Sequence, residues 1–128
     1  MAKTSTQTAL VSSASNGAGS TTRGRLDCSA ADGGQVTFRI TNGGTGPSTQ
    51  CEARIMVSHK TSLPSAAAEG TGDDDWKIVR TIGGGTTNSA STRGRFVFGP
   101  EVRHLQIEFT GNASQAVTVE AIATTYAY

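Results

Sequence analysis

The feature of this sequence that most constrains its fold is an internal repeat. Residues 22–26 read TRGRL, and residues 92–96 read TRGRF. The correspondence continues to Cys51 and Val119, and over that run the spacing between matched positions falls only from 70 to 68 residues. Between them the apolar matches are Leu26 with Phe96, Cys28 with Phe98, Val36 with Leu105, Phe38 with Ile107, and Ile40 with Phe109. The repeat predicts two similar halves, about residues 8–57 and 76–125, within a single domain of residues 1–128.

Within each half the apolar residues alternate with polar ones, which is typical of half-buried strands in an antiparallel sheet. Val36, Phe38 and Ile40 share one face, whereas Thr37 and Arg39 take the other. Turn clusters rich in Gly and Asn separate such segments, and the chain has 16 Gly and 19 Thr. We therefore expect an all-β protein: an eight-stranded antiparallel β-sandwich, jelly-roll-like, made from two similar four-strand halves.

Three segments carry separate expectations. Residues 1–22, rich in Ser and Thr, are expected to form an N-terminal strand and a flexible arm or loop that can order on a neighbouring molecule. Residues 64–69 (PSAAAE) favour one or two turns of helix. The acidic residues 73–75 are expected in a solvated loop before a strand at residues 76–82.

Charge and hydropathy exclude several classes of function. The net charge is +1 with 11 basic residues, so the strongly basic surface of a nucleic-acid-binding protein is not expected. The apolar runs are too short for a membrane helix, and residues 1–8 have no signal-peptide character. Cys28 and Cys51 form no CxxC pair, and we interpret them as free, buried thiols in a reducing cytoplasm, with a disulfide between them as the alternative.

No catalytic or metal-binding motif is found. His59 and His104 lie in no metal-ligand pattern, and the alternation places His104 on a solvent or interface face. No nucleophile elbow or phosphate-binding glycine loop is present. Three consecutive acids at 73–75 cannot all reach one cation without supporting carbonyls. The sequence therefore predicts no catalytic residues, no cofactor, no metal and no enzymatic activity.

The candidate site is instead an interface. Arg is favoured at protein interfaces because its planar fork pairs bidentately with carboxylates, although solvated strand ends are the alternative interpretation. The paired arginines begin equivalent strands, and each pair lies on one face. The candidate interface residues are Arg23, Arg25, Arg93, Arg95, Trp76, Tyr126 and Tyr128.

A small β-sandwich with a Ser/Thr-rich N-terminal arm and a closing strand like residues 115–121 (QAVTVEA) resembles the head decoration, or cement, proteins of tailed bacteriophages, some of which are jelly rolls. The resemblance implies a structural virion protein on the capsid exterior, made in the host cytoplasm. Its partners would be the major capsid protein and copies of itself, with no direct contact to nucleic acid or membrane. The alternative is a tail or neck structural protein, or a carbohydrate- or receptor-binding module using Trp76 beside the acidic residues.

Overall fold

The computed structural model describes residues 2–70 and 75–128, and within them the chain forms eight β-strands. The strands are β1 (Thr4–Asn16), β2 (Thr22–Asp27), β3 (Gly33–Asn42), β4 (Glu52–Ser58), β5 (Lys77–Gly83), β6 (Ser91–Phe98), β7 (His104–Thr110) and β8 (Val117–Ala127). Thr, Val, Ile and Phe populate them because branched and aromatic side chains suit a pleated surface. The prediction of an eight-stranded all-β protein is confirmed.

The strands form two four-stranded antiparallel sheets. Sheet I has the order β1-β8-β3-β6 and sheet II the order β2-β7-β4-β5. The pairs β1–β8, β2–β7, β3–β6 and β4–β5 nest inside one another, as if one long hairpin had been rolled up. This nesting defines a jelly roll, and the predicted architecture is confirmed.

The two sheet orders are related by a simple exchange. If β1 to β4 are exchanged with β5 to β8, in that order, the order of sheet I becomes β5-β4-β7-β2. This is the order of sheet II read from its other edge. Each TRGR segment therefore lies on the edge strand of a different sheet, β2 in sheet II and β6 in sheet I.

The core lies between the sheets and uses the alternating apolar positions identified in the sequence. Val36, Phe38 and Ile40 from sheet I face Leu105, Ile107 and Phe109 from sheet II, and all are almost fully buried. The rings of Phe38 and Phe109 meet edge to face across the sandwich, with centroids 6.4 Å apart. Such pairs add to the free energy of burying the ring surface.

The central glycine of each TRGR segment points into the core, where no side chain fits. A methyl group on Gly24 would overlap the backbone carbonyl of Leu10, and one on Gly94 would overlap the ring of Phe38. The edge strands thus pack closely on the sandwich because the residue between the two arginines has no side chain.

A pair of buried asparagines holds the long loops at one end of the sandwich. Asn42 Nδ2 donates to the carbonyl oxygen of Thr87 at 2.9 Å, and Asn112 Nδ2 donates to that of Asn16 at 3.0 Å. Asn42 is the last residue of β3 and Asn112 comes two residues after the end of β7, and these two strands are exchange-related. Each amide therefore replaces the ladder hydrogen bonds that the loop backbone lacks.

One local prediction is wrong. Residues 64–69 form no helix; instead both backbone groups of Ala67 bind the side chain of Gln106. These hydrogen bonds and burial outweigh the helix propensity of a segment too short to be helical alone. We call residues 59–70 the covering segment.

The predicted acidic loop at residues 73–75 lies mostly outside the described part of the chain, which includes Asp75 but not Asp73 and Asp74.

The N-terminal segment forms the predicted strand, and this strand is not a free arm. Strand β1 pairs with β8 from Thr4↔Ala127 to Asn16↔Val117, with register shifts around Val11. Residues 4–16 are thus an edge strand of the protein's own sheet, although most of their side chains are exposed.

In the described part of the chain, no helix has the length and hydropathy to cross a membrane.

Candidate interaction surface

The outer face of sheet II is covered by the chain itself. Trp76 is only 1% exposed, and its Nε1 donates to the carbonyl oxygen of Ser65 at 2.8 Å. Gln106, on the outer face of β7, donates from Nε2 to the Ala67 oxygen at 2.8 Å and accepts from the Ala67 nitrogen at 3.2 Å. The prediction of Trp76 as an exposed contact residue is therefore wrong, because Trp76 anchors the covering segment.

Arg23 is bound within this covered face. Its Nε donates to Oε2 of Glu108 at 2.7 Å, and Nη1 of Arg54 lies 3.5 Å from the other carboxylate oxygen. Glu108 is 2% exposed, so the two guanidinium groups compensate a buried charge. The three residues form one row across sheet II, since Glu108 lies directly opposite Arg23 on β2 and Arg54 on β4.

The second arginine of the first segment is also engaged. Nη1 of Arg25 donates to the carbonyl oxygen of Pro64 at 2.7 Å, which attaches the covering segment to the edge strand β2. Nearby, the hydrogen bond from Arg54 to Glu52 raises the pKa of the Arg54 guanidinium, whose charge is therefore kept at every accessible pH. Both predicted interface residues of this segment thus have partners within the chain.

The arginines of the second segment have no such partners. Arg93 and Arg95 are exposed on the outer face of β6, and no acceptor among residues 2–70 and 75–128 binds either guanidinium. Beside them, Arg39 of β3 lies 3.5 Å from Glu120 of β8. Val97, on the same face of β6, is 63% exposed. The outer face of sheet I therefore presents a basic and partly apolar surface that the described residues do not cover.

Sequence reasoning missed Arg39 and Glu120 as members of this surface. The alternation placed Arg39 on the polar face of its strand, and the repeat matches Arg39 with Glu108. Comparing the charges at those two matched positions could have found the difference between the faces.

The predicted tyrosines lie at the other end of sheet I. The rings of Tyr126 and Tyr128 meet edge to face with centroids 5.9 Å apart, and Nζ of Lys3 lies 5.9 Å from the Tyr126 ring centroid. Tyr128 is 65% exposed, and its backbone nitrogen donates to Asp32 at 2.8 Å. The tyrosines therefore extend the exposed surface, with Lys3 as a further cation.

His104 is fully buried, which contradicts its predicted place on a solvent or interface face. No hydrogen bond from the described residues reaches either ring nitrogen, and Nδ1 lies 3.4 Å from a carboxylate oxygen of Asp27. Hydrogen bonds from Ser29 lower the pKa of Asp27, and the adjacent imidazole contributes to the same shift. The alternation was right about the outer face, but that face is itself buried in sheet II.

The two cysteines are buried, as the strand pattern predicted, and both are free. Burial raises the pKa of Cys28 to about 12 and that of Cys51 to about 11. Neither is therefore a reactive thiolate near neutral pH.

Among the described residues, no three His, Cys, Asp or Glu side chains cluster in a way that could hold a metal ion.

Comparisons with solved structures support the fold. The chain is similar to the subunit of Bacillus endospore appendages, described as disulfide-linked pili, with a TM-score of 0.54, 14% identity, and coverage of 98% of this chain and 90% of that one. It is also similar to a protein of the T13 particle of the virus IBDV, with a TM-score of 0.52 and 9% identity, covering 96% of this chain but 31% of the viral chain.

Two further matches are more distant. The SPBc2 prophage-derived protein YomS gives a TM-score of 0.45 at 16% identity, covering 97% of this chain and 96% of that one. A Porphyromonas gingivalis Lys-gingipain adhesin domain gives 0.49 at 9% identity over 80% of this chain, which spans 63% of that domain. No family model matches the sequence, and no curated protein matches it significantly. The chain is thus an all-β sandwich whose fold occurs in viral and other structural proteins.

Proposed function

We propose that this protein is a structural virion protein that decorates and cements the outside of a tailed-phage head. In this proposal it binds the major capsid protein across capsomer junctions through the outer face of sheet I. Repeated on a symmetric shell beside other copies of itself, many modest interfaces would together oppose separation of the capsomers under internal DNA pressure. The protein would be made in the host cytoplasm and would act without catalysis or a cofactor.

The observation that carries the proposal is the difference between the two outer faces. The chain covers one face with its own residues and leaves Arg93, Arg95 and Val97 exposed on the other. Exposed arginines beside an apolar side chain on a rigid sheet are typical of protein interfaces. The +1 net charge favours a protein partner over a nucleic acid.

A sedimentation experiment tests the proposal. Purified protein is mixed with expanded, undecorated capsids built from the major capsid protein of the same phage, and the pellet is assayed for both proteins. We expect saturable co-sedimentation that is lost in the double variant Arg93→Glu, Arg95→Glu. Arg80→Glu, at an exposed position of β5, is the control and should bind like the wild type.

Absence of co-sedimentation by the wild type would refute the decoration role. Binding to isolated tails or necks instead of capsids would support the alternative structural location. The carbohydrate-binding alternative loses its candidate aromatic platform, because Trp76 is buried beneath the covering segment.

A further inference from the structure

Sheet I lacks a carboxylate that sheet II has at the corresponding position. In sheet II the row across the outer face is Arg23, Glu108 and Arg54, with the acid between two cations. In sheet I the corresponding row begins with Arg93 and Arg39, which lie directly opposite each other on β6 and β3. Like charges directly opposite each other destabilise a sheet. At the position of Arg39, sheet I therefore lacks the negative charge that Glu108 supplies in sheet II.

Glu120 does not supply that charge for both arginines. It lies opposite Arg39 on the side away from β6, and the separation of 3.5 Å joins it to Arg39 alone. Among the described residues, Arg93 and Arg95 have no acceptor, although both lie on the same face of one strand. Sheet I therefore has two guanidinium groups available for an acceptor from outside the described chain.

A groove lies where that acceptor would bind. It has a volume of about 490 Å³ and is lined by Thr37, Arg39, Arg93, Gly94, Arg95 and Glu120, with Phe38. Arg93 and Arg95 project from the same outer face of β6, while Gly94 between them faces the core. This space suits an extended peptide whose side chains project toward the sheet.

We propose that this groove binds the carboxylate side chains of an extended acidic segment of a partner protein. Arg93 and Arg95 donate to the carboxylates, and the incoming charge relieves the repulsion between Arg93 and Arg39. That the partner is the shell protein rests on the proposed function, whereas the carboxylate chemistry rests on the geometry alone. Guanidinium forks match carboxylates bidentately, which gives such pairs both strength and direction.

Two observations favour a carboxylate over a nucleic-acid phosphate backbone. Glu120 lines the groove and would repel a continuous line of phosphates. The equivalent arginines of sheet II, Arg23 and Arg25, already bind a carboxylate and a peptide carbonyl within this same protein. The chain therefore contains an occupied counterpart of the proposed contact.

Fluorescence anisotropy of a short labelled peptide of alternating Glu and Thr tests the inference. We expect saturable binding to the wild-type protein, and binding about tenfold or more weaker for the counterpart with Gln in place of Glu. Arg93→Gln and Arg95→Gln should each weaken the Glu peptide to a similar degree. Arg80→Gln removes the same charge elsewhere and should leave the affinity unchanged.

Several outcomes would overturn the inference. These are no binding of the Glu peptide, equal binding of the Gln peptide, and an equal loss in Arg80→Gln, which would show only general charge attraction. Tighter binding of a labelled single-stranded DNA with the same dependence on Arg93 would assign the groove to phosphate instead. Capsid binding without Glu-peptide binding refutes this inference and leaves the proposed function standing, while the opposite result refutes only the proposed function.

Discussion

The two TRGR segments have nearly the same sequence and occupy exchange-related edge strands, yet their arginines have opposite environments. Arg23 and Arg25 on sheet II bind Glu108 and the Pro64 carbonyl beneath and beside the covering segment. Arg93 and Arg95 on sheet I are exposed on a face that the described residues leave open. The difference arises from the connections: the loop from β4 to β5 is long enough to cross sheet II, and sheet I has no such segment among the residues described. What the chain places over a motif thus decides whether its arginines bind within the protein or stay exposed.

The largest expected difference between the faces comes from removing a large side chain on each. Trp76→Ala should lower the free energy of unfolding by about 3–5 kcal/mol, because it empties the space beneath the covering segment. Val97→Ala on the open face should change it by less than about 0.5 kcal/mol. Urea denaturation followed by circular dichroism measures both, and a mild effect of Trp76→Ala would mean that the cover contributes little to stability.

Alanine substitutions at the central glycines of the two segments test whether the two edge strands pack equally closely on the core. Gly24→Ala should lower the free energy of unfolding by about 2–3 kcal/mol. The new methyl group meets the Leu10 carbonyl, which belongs to the backbone and cannot rotate away. Gly94→Ala meets the tips of the Phe38 and Ile82 side chains, which can shift, so its cost should be smaller. The same denaturation measurement decides, and equal costs would contradict this distinction.

The first arginine of each segment allows the same charge to be removed from both faces. Arg23→Gln should lower the free energy of unfolding by about 2 kcal/mol, because it leaves the buried Glu108 carboxylate with only the longer contact to Arg54. Arg93→Gln should be neutral within about 0.5 kcal/mol or slightly stabilising, since it removes a repulsion with Arg39. Equal destabilisation by both substitutions would show that the two faces do not differ in the way described.

The thiols add a pH dependence to one side of the comparison. Cys28 and Cys51 flank strands of sheet II, and the repeat matches them with Phe98 and Val119 of sheet I. Their folded-state pKa values of about 12 and about 11 exceed the ordinary 9.0, so the stability that the neutral thiols contribute is fully present below pH 9 and is lost as the pH rises toward 12. Raising the pH from 8 to 10 should therefore lower the free energy of unfolding by about 1.4 kcal/mol for each thiol.

Urea denaturation between pH 8 and pH 10 checks this by comparing the wild type with the double variant Cys28→Ala, Cys51→Ala. The variant should start less stable but should lose less stability with rising pH. Parallel curves would contradict the assigned pKa shifts. In the native protein both thiols should also resist alkylation until denaturant is added.

Much of the fold could be predicted because its signals are local and periodic. The alternation around Val36, Phe38 and Ile40 identified the inward face of β3, and the same pattern identified that of β7. The repeat and the turn glycines indicated eight strands in two groups. Residues 64–69 were predicted as helix because their composition favours one, whereas their contacts with Gln106 come from a strand far along the chain.

The candidate site could be predicted only in part. Arg93 and Arg95 were identified from the repeat, but so were Arg23 and Arg25, and nothing within either segment distinguishes them. Trp76 was interpreted as an exposed contact residue because a lone Trp next to acidic residues has no local sign of burial. Its environment depends on Ser65 and on the outer face of sheet II.

By itself the sequence determined the strands, their inward faces and the rolled arrangement of eight strands, because apolar alternation and turn-forming glycines act over a few residues. Only the tertiary structure decided which outer face is covered, that His104 and Trp76 are buried, and that one pair of arginines remains exposed. Those outcomes depend on hydrogen bonds and packing between distant residues, such as Ala67 with Gln106 and Arg25 with Pro64. Such contacts carry no periodicity, so they become visible only once the chain has folded.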